Sequence, residues 1–373
     1  MRLILILVTI LSASCSDKDQ DVAAENITTD TTITLTVDTL TSSLTNPWGI
    51  AFLPDGRILV TENAGEIRVI ENGKLLDNKI GNVPEVYDNS QGGLLDIKLH
   101  PDYATNGWLY ITYSKPGNGG GGTTLIRARL ESNNLTDIEE LFSAQPFVRS
   151  GAHFGSRIVF DGKGYVYISS GERGTKENSQ DLSNHLGKII RLHDDGRIPN
   201  NNPFVNQAGA RPEIWSYGHR NPQGMFYDKE NDIIWAHEHG PQGGDELNRI
   251  EKGINYGWPV ITYGTNYDGT PITDKTEMVG MEQPVTYWTP SIAPCGMAIV
   301  THENFKVWKG NLLIGALVHR HLARVEIKDG EYVTQEKLLQ DVGRVRAVEE
   351  SPDGFIYVAT ESPGMLLKLS VKK

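Results

Sequence analysis

A repeated pattern, in which a turn leads into a short apolar strand, constrains the fold of this chain more than any other feature. Turn residues such as Pro-Asp-Gly precede runs in which apolar, β-branched and aromatic residues predominate, which is the signature of β-strands. The pattern occurs six times, and each copy follows another short apolar run. The six repeated runs cover residues 57–61, 108–112, 165–169, 233–236, 311–315 and 355–359.

This repetition predicts an all-β protein with the architecture of a six-bladed β-propeller. Three or four strands per repeat, six times over, fit the blades of such a ring. The spacing between copies is uneven, so some blades must carry long loops. A solenoid also tolerates repeats, but many turn-bounded strands without repeated helices favour a closed ring. The propeller is expected to occupy residues 31–373 as one domain, without a disulfide framework, because Cys15 and Cys295 are the only cysteines.

The first residues have the pattern of an export signal rather than of a folded strand or helix. Arg2 precedes an apolar run from Leu3 to Leu11, and small residues lead to Cys15. The run is too short to span a bilayer, which needs about 20 apolar residues. We expect a signal peptide at residues 1–14 and a lipidated Cys15 with a polar tether at residues 15–30. The alternative is a plain cleaved signal with an incidental cysteine. Either way we expect the chain to be exported, and with lipidation we expect a periplasmic or outer-membrane-anchored lipoprotein.

The charge balance excludes one class of partner. The chain has 35 Lys and Arg against 47 Asp and Glu, a net charge of −12. Nucleic-acid binding draws its affinity from the neutralisation of phosphates by basic residues. We therefore expect no nucleic-acid partner.

Glycine-rich polar clusters lie between the repeated strands, and in a propeller such loops converge on one end of the central channel. Taken singly they are ordinary turns. Together they supply histidines, carboxylates and arginines, and clustered arginines favour an anionic ligand with several carboxylates. The clusters are centred on residues 90–93, 151–155, 171–174, 218–224, 238–246 and 343–346.

Over about residues 40 to 370 these clusters resemble one family. The runs that start at Gln91 (QGGLL), His153 (HFGSR), Tyr217 (YGHRNPQG), Glu238 (EHGPQGGDE) and Arg344 (RVR) are similar to those of the soluble pyrroloquinoline quinone (PQQ)-dependent sugar dehydrogenases. Within that family the aldose sugar dehydrogenases are more similar than soluble glucose dehydrogenase. The resemblance implies a six-bladed propeller that holds PQQ and Ca²⁺ at the top of its channel. It also implies oxidation of aldose sugars at C1 to aldonolactones, with electrons passed to an acceptor that the sequence does not identify.

The resemblance assigns three residues to catalysis. His153 matches the general base that takes the proton of the sugar C1 hydroxyl while hydride moves to PQQ. A neutral imidazole suits that task near neutral pH. Glu172 matches a carboxylate that orients this histidine, and Arg220 is placed to stabilise negative charge on the quinone.

The remaining predicted site residues bind the cofactor or the metal. Arg344 and Arg346 are spaced by two, so on a strand they point the same way. Calcium prefers hard oxygen ligands such as backbone carbonyls. The resemblance places cofactor contacts at Gln91 (on the substrate side), Arg220, Asn221, Arg344 and Arg346, and Ca²⁺ ligands at the carbonyls of Gly240 and Pro241.

Two departures from the family pattern leave alternatives open. Val318 stands where the family often has a lysine bound to PQQ, with His319, Arg320 or His321 as substitutes, and Ala152 replaces an acidic residue of the glucose-type enzymes. The rival hypothesis is a non-redox propeller, either a calcium-binding carbohydrate- or protein-binding module or a lactonase. Two local alternatives concern a transition-metal site at residues 237–239 and stacking of Tyr287 or Trp288 on a planar ligand.

Overall fold

The computed structural model describes residues 25–29 and 33–372, and their strands form six sheets around a central axis. Each of the first five sheets consists of four consecutive antiparallel strands, and these sheets are the blades of a propeller. The six-bladed all-β fold predicted from the sequence is therefore confirmed.

Blades one to five follow the chain in order. Blade one contains β3 (Pro47–Phe52), β4 (Ile58–Glu62), β5 (Glu66–Glu71) and β6 (Lys74–Leu75). Blade two contains β7 (Leu94–Leu99), β8 (Leu109–Gly117), β9 (Gly120–Glu131) and β10 (Asn134–Ser143). Blade three contains β11 (Ile158–Phe160), β12 (Tyr165–Ser170), β13 (Lys188–His193) and β14 (Ile214–Tyr217). Blade four contains β15 (Pro222–Asp228), β16 (Ile233–Glu238), β17 (Asp245–Ile250) and β18 (Thr286–Trp288). Blade five contains β19 (Pro294–Ile299), β20 (Leu312–Ala316), β21 (His321–Lys328) and β22 (Glu331–Leu338).

The sixth blade joins the two ends of the described chain. Its inner strands are β23 (Arg344–Glu350), β24 (Ile356–Glu361) and β25 (Met365–Val371), and its outer strands are β1 (Glu25–Thr28) and β2 (Thr34–Thr41). β2 pairs with β25 in antiparallel register, which closes the ring. Closure is how a propeller limits unpaired sheet edges.

The sheet begins earlier than the sequence predicts. β1 lies within the stretch assigned to the tether and pairs with β2, so the blade begins before the boundary expected at Thr31. The sequence of this edge strand is mostly polar, so it lacks the apolar pattern that predicts the other strands. The predicted signal peptide and Cys15 lie outside the described residues. Among residues 25–29 and 33–372 no helix is long and apolar enough to cross a membrane.

Within the part of the chain that the structure describes, helical structure is confined to short connections. The structure describes α1 (Tyr103–Asn106) and two 3₁₀ helices (Lys176–Gln180 and Glu303–Trp308). All six repeated runs of the sequence form the second strand of a blade, and the runs before them form the first strand. The repeat identified in the sequence is thus the hairpin nearest the propeller axis.

The hydrophobic core is divided among the gaps between blades. One buried apolar cluster fills each gap, and each cluster draws side chains from the two blades on either side. Ile97 and Ile111 of blade two, for example, pack with Leu59 and Val69 of blade one. The burial of apolar side chains between neighbouring blades is therefore the main hydrophobic contribution to the stability of the ring.

The first strand of each blade begins at the face of the ring that carries the polar loops. In five blades its pairing with the second strand shifts register close to that start. Such bulges change the direction in which side chains point at the edges of sheets. The skipped positions include Asp96, Gln223 and Arg346, which all make contacts at the centre of the ring.

Arg157 lies at that centre, directly before β11, and contacts each of the other five blades. Its guanidinium is 3.4 Å from Asp96 Oδ1 and donates to two backbone carbonyls at 2.8 and 2.9 Å. The side chain is 4% exposed and its partner carboxylate 0%. The five contacts are Trp48 (ring face), Asp96, the carbonyl of Gln223, Cys295 Sγ and the carbonyl of Arg346.

Removal of this cation should destabilise the ring. We expect Arg157→Met to lower the free energy of unfolding by about 3–5 kcal/mol, because the Asp96 carboxylate loses its buried counter-ion. The matched control is Arg57→Met, which removes an arginine from a solvent-exposed pair with Asp55 and should cost less than about 1 kcal/mol. Urea midpoints measure both. Equal shifts in the two variants would contradict the central role of Arg157.

Candidate active site

His153 is held in one orientation by contacts from two sides. Its backbone adopts a left-handed conformation (φ 56°), and its N–H donates to Gln91 Oε1 at 2.8 Å. Its imidazole Nδ1 lies 2.7 Å from Glu172 Oε1. Gly171 permits this arrangement, because a Cβ there would lie 2.1 Å from the His153 carbonyl oxygen. With Nδ1 directed at the carboxylate, Nε2 is the nitrogen left for another group.

Burial sets the protonation state of this histidine. It lowers the pKa of His153 below the ordinary value of 6.5, and the charges of Arg220 and Arg173 lower it further. The hydrogen bond and charge of Glu172 act in the opposite direction. The imidazole is therefore neutral near pH 7, which is the form that accepts a proton.

Glu172 connects the histidine to the loop that bears Arg220. Its side chain is 3% exposed, and its backbone N–H donates to the Arg220 carbonyl at 2.9 Å. The second oxygen, Oε2, is buried without a hydrogen-bond partner among the described residues. One oxygen of the Glu172 carboxylate therefore bonds to His153, and the other has no hydrogen-bond partner among the described residues.

Lys188 fixes the loop that follows Glu172. Its buried Nζ donates to the carbonyls of Asn178, Ser179 and Leu186 at 2.7–3.1 Å. Ser179 in turn accepts from the Gly218 N–H and donates from its hydroxyl to the His219 carbonyl. The two loops that supply Glu172 and Arg220 are therefore fastened together.

Arg220 lies beside this pair. Its Nη1 donates to the carbonyl oxygens of His239 and Gly240 at 3.1 and 2.9 Å. Its backbone N–H donates to Glu238, whose other carboxylate oxygen is 2.9 Å from His219 Nδ1. These contacts hold the Arg220 guanidinium against residues 239–240, near enough for its charge to act on His153.

Two further arginines share one carboxylate. Arg344 Nε and Arg346 Nε lie 3.2 and 2.7 Å from the oxygens of Glu361. The shared contact with Glu361 is consistent with the prediction that the side chains of Arg344 and Arg346 point the same way. Arg346 Nη1 also donates to Gln223 Oε1 at 3.3 Å, and Gln223 Nε2 donates to Asn221 Oδ1 at 3.2 Å.

Donor atoms for an anion remain free within this group. In Arg220, Arg344 and Arg346, Nη2 makes no hydrogen bond to the described residues. The Asn221 Nδ2 atom is buried and likewise has no hydrogen-bond partner among the described residues. Three guanidinium donors and an unsatisfied amide fit a planar ligand with carboxylate groups, as PQQ is.

Gly240 and Pro241 line a cavity of about 610 Å³ between loops of blades four and five. The Gly240 carbonyl accepts from Arg220, and a carbonyl oxygen has a second lone pair for another partner. No cluster of three or more His, Cys, Asp or Glu side chains suited to a metal occurs in residues 25–29 and 33–372. Backbone carbonyls are hard ligands of the kind that Ca²⁺ prefers, and these two would supply two of the six to eight oxygens it takes.

Val318 is 41% exposed on the wall of the same cavity. Of the three proposed substitutes for the family lysine, His319 alone lines this cavity. His321 is 1% exposed, with Nδ1 directed at the His319 carbonyl oxygen, so it packs inside blade five.

The residues considered for a transition-metal site (237–239) and for stacking on a planar ligand (Tyr287 and Trp288) are engaged in contacts within the protein. The Nε2 atoms of His237 and His239 lie 3.1 and 2.9 Å from carbonyl oxygens of blade five, so both imidazoles join blades four and five. Burial lowers the pKa of His237 to about 3. Tyr287 stacks on Tyr263 with centroids 3.9 Å apart, and Trp288 donates to Gln335.

The sequence-predicted residues thus form one connected group. Gln91, His153, Glu172, Arg220 and Gly240 follow one another through direct contacts. Asn221 is linked to Arg346 and Arg344 through two residues that sequence reasoning missed, Gln223 and Glu361. Gln223 lies within the run that starts at Tyr217, whereas Glu361 follows the last repeated strand and carries no local signal. The sequence likewise predicts no role for Arg157 and Glu238.

Comparison with known proteins gives a consistent result. A family model described as glucose/sorbosone dehydrogenase matches residues 44–368. The aldose sugar dehydrogenase YliI of Escherichia coli strain K12 is 45% identical over 346 residues, which cover 90% of this chain and 93% of that protein. The crystal structure of the soluble aldose sugar dehydrogenase from Escherichia coli in its apo form is 42% identical, with a TM-score of 0.88 over 91% of this chain and 100% of the other. The PQQ-bound aldose sugar dehydrogenase of Streptomyces coelicolor is 28% identical, with a TM-score of 0.75 over 91% of this chain and 98% of the other.

The electrostatic environment of His153 predicts the effect of neutralising its partner. Glu172→Gln should lower the pKa of His153 further, because the charge and hydrogen bond that raise it are weakened. Since the folded-state pKa already lies below 6.5, the histidine makes folding stability fall as the pH drops below 6.5. NMR titration of the imidazole measures the pKa, with Glu177→Gln, an exposed carboxylate of the same loop, as the control. A rise in the pKa of His153 in the Glu172 variant would contradict this electrostatic balance.

Proposed function

Because the chain belongs to the glucose/sorbosone dehydrogenase family of oxidoreductases, we propose that it oxidises aldose sugars at C1 to aldonolactones, with PQQ and Ca²⁺ as cofactors. Its relatives in Escherichia coli and Streptomyces coelicolor carry the name aldose sugar dehydrogenase, and the second is a PQQ-bound structure. The observation that carries the proposal is the contact between His153 and Glu172 beside three arginines with unused donor atoms.

His153 is the proton acceptor in this proposal. Its Nδ1 is occupied by Glu172, so Nε2 receives the proton of the C1 hydroxyl. Glu172 keeps the imidazole in the tautomer with a free Nε2 and stabilises the imidazolium that forms. Gln91 supports the same geometry through the His153 backbone N–H.

The arginines and Asn221 would hold the cofactor by its negative groups. PQQ, when bound, supplies the acceptor for the two electrons that leave C1 as hydride. Arg220 would stabilise negative charge on the bound cofactor, and little reorganisation would be needed because its contacts to residues 239 and 240 hold it in place. Arg344 and Arg346 are held ready by Glu361.

The carbonyls of Gly240 and Pro241 would hold Ca²⁺, with further oxygens from the cofactor and water. Calcium bound at these carbonyls, on the wall of the cavity, would lie close to Arg220. A neighbouring multi-carboxylate ligand would balance the positive charges of both cations. This mutual dependence predicts that calcium and PQQ bind together better than either does alone.

The rival function is a propeller that binds calcium and a carbohydrate or protein without redox chemistry, or a lactonase. Val318, which offers no charge to an anionic cofactor at the family's lysine position, is the feature that favours it. His153 and Glu172 argue against the binding module, because such a module needs no oriented proton acceptor.

The base assignment predicts a selective loss of chemistry. His153→Ala should lower turnover of an aldose by about 10²–10⁴-fold, the usual contribution of a general base. PQQ affinity should stay near that of the wild type, because the arginines are unchanged. Dye-linked oxidation on protein verified as folded and cofactor-loaded measures this, with His193→Ala, a histidine packed on Tyr165 away from the site, as control. Near-wild-type turnover in His153→Ala would remove the histidine from the mechanism.

The joint binding of cofactor and metal predicts a thermal shift. A ligand that binds only the folded protein stabilises it by about 2.7 kcal/mol at a hundredfold excess over Kd. Tm should therefore rise more with PQQ plus Ca²⁺ than with either alone. If Ca²⁺ alone produces the whole shift, the non-redox rival is favoured instead.

We further propose that the chain is exported and anchored through an acyl group on Cys15. This rests on the apolar run and small residues that precede the cysteine. Cys15→Ala should move the protein from the membrane fraction to the soluble fraction with unchanged activity, because the propeller begins well after this residue. Fractionation of cells that express each form measures this. Wild-type protein that is fully soluble after export would contradict the anchor.

A further inference from the structure

Arg173 is a buried cation to which the proposed binding of sugar and cofactors assigns no contact. It follows Glu172 in the loop between β12 and β13 and is 2% exposed. Its guanidinium pairs with no carboxylate among the described residues, and its Nε atom has no hydrogen-bond partner there. Burial lowers the pKa of Arg173 to about 9, so the side chain is still charged near pH 7. An unpaired buried charge costs stability, so its contacts indicate the task for which this fold keeps it.

The guanidinium of Arg173 contacts the loop that carries His153 on both sides of the histidine. Its Nη1 donates to the Ala152 carbonyl and its Nη2 to the Ser150 carbonyl. On the other side of His153, the central carbon of the guanidinium lies 3.3 Å from the centre of the Phe154 ring. Phe154 is itself 1% exposed, so these contacts hold the backbone before the histidine and the side chain after it.

Gln91 fixes the peptide groups that Arg173 leaves free. The Gly151 carbonyl accepts from the Gln91 N–H at 2.9 Å, and the Gln91 side chain accepts from the His153 N–H. Three consecutive carbonyls, those of residues 150–152, and the N–H of His153 are therefore all held by Gln91 and Arg173. This support matters because the left-handed backbone of His153 is one that residues other than glycine rarely adopt.

The backbone of Arg173 has the same uncommon conformation. Its φ is 63°, and Gly174 follows with a φ of 83°. A Cβ at Gly174 would lie 3.2 Å from the Ser150 Oγ atom, so the two loops pack closely. Left-handed backbone in residues other than glycine persists where surrounding contacts determine it, and it clusters at active sites. Arg173 and His153 therefore belong to one tightly determined arrangement of two loops.

Arg173 also acts on His153 through its charge. The positive charge of Arg173 lowers the pKa of the imidazole, as burial and Arg220 do, whereas Glu172 raises it. Burial holds the pKa of His239 well below its ordinary value, so this histidine carries no charge near pH 7. The titratable groups around His153 and Arg173 come from four loops and are Tyr87, Glu172, Arg220 and His239.

We propose that Arg173 is a positioning residue for the base: its guanidinium fixes residues 150–154 so that His153 is held in place for the C1 hydroxyl, and its charge opposes protonation of the imidazole. This inference rests on the proposed function and adds a second residue to Glu172. The loop between β12 and β13 then controls the base twice, with Glu172 at the imidazole and Arg173 at the backbone around it.

Two substitutions separate the charge of Arg173 from its contacts. Arg173→Gln removes the charge, and Arg173→Lys keeps it but loses the planar fork that reaches two carbonyls and stacks on a ring. The pKa of His153 should rise in Arg173→Gln, because a cation that lowers it is gone, and stay near the wild-type value in Arg173→Lys. NMR titration of the imidazole in the cofactor-free protein measures this. The matched control is Arg149→Gln, an exposed arginine of the loop that carries His153, which should leave the pKa unchanged.

Turnover of an aldose, measured on folded protein loaded with PQQ and Ca²⁺, reports the contacts. Both Arg173 variants should lower kcat by about tenfold or more and change KM by less than about twofold, because a misplaced base slows the chemical step. The acidic limb of the pH profile of kcat/KM should move to higher pH in Arg173→Gln only. An arginine with a merely structural role would lower stability but leave kcat and the pH profile of the folded protein as in the wild type.

The NMR titration separates this inference from the proposed function, because it needs neither cofactor nor turnover. A wild-type protein that oxidises no aldose would contradict the proposed function, whereas the response of the His153 pKa would still test the charge of Arg173. An unchanged or lower pKa of His153 in Arg173→Gln, or wild-type kcat in Arg173→Lys, would overturn the inference. If Arg173→Gln does not fold, Arg173→Lys decides the test, since it keeps the charge and one donor group.

Discussion

The buried guanidinium of Arg157 is the contact on which the geometry of the site depends. It reaches from blade three to residues of the other five blades, and two of its acceptors are the backbone carbonyls of Gln223 and Arg346. Those residues lie at bulges, where the ladder of the sheet no longer fixes the chain. Arg157 therefore holds the backbone in place where the bulges interrupt the sheet, and in this way it fixes the positions of Gln223 and Arg346.

The proposed proton transfer to His153 depends on a balance of charges around the imidazole. Burial and the neighbouring arginines keep His153 neutral, while Glu172 pulls its pKa upward. A carboxylate strong enough to protonate the histidine would remove the base, and its absence would leave the tautomer unspecified. Glu361 has the corresponding task for Arg344 and Arg346, because one carboxylate orients two cations and leaves an Nη2 on each for a ligand. Glu172 and Glu361 thus each position a neighbour.

The sequence predicts the fold far better than the contacts of the site. Second strands such as β4 and β24 are apolar and preceded by Pro-Asp-Gly turns, so the six blades can be counted directly. β6 has two residues, and β1 is a polar edge strand, so neither leaves a detectable pattern. His153, Glu172 and the arginine pair are identified through a resemblance carried by local runs. Arg157 and Glu361 escape such identification because their partners belong to other strands or blades, up to 189 residues away for Arg157 and Arg346, and only the folded ring brings them together.

The central claim is that this propeller is a quinone-dependent oxidoreductase and not a binding module. The most direct measurement is a titration of the cofactor-free protein with PQQ in the presence of Ca²⁺, followed by visible absorbance, after which an aldose is added without an electron acceptor. The claim predicts saturable uptake of the quinone and a spectral change to its reduced form within the first turnover. Binding of Ca²⁺ without uptake of the quinone, or a loaded protein whose spectrum does not change with any aldose, would contradict it.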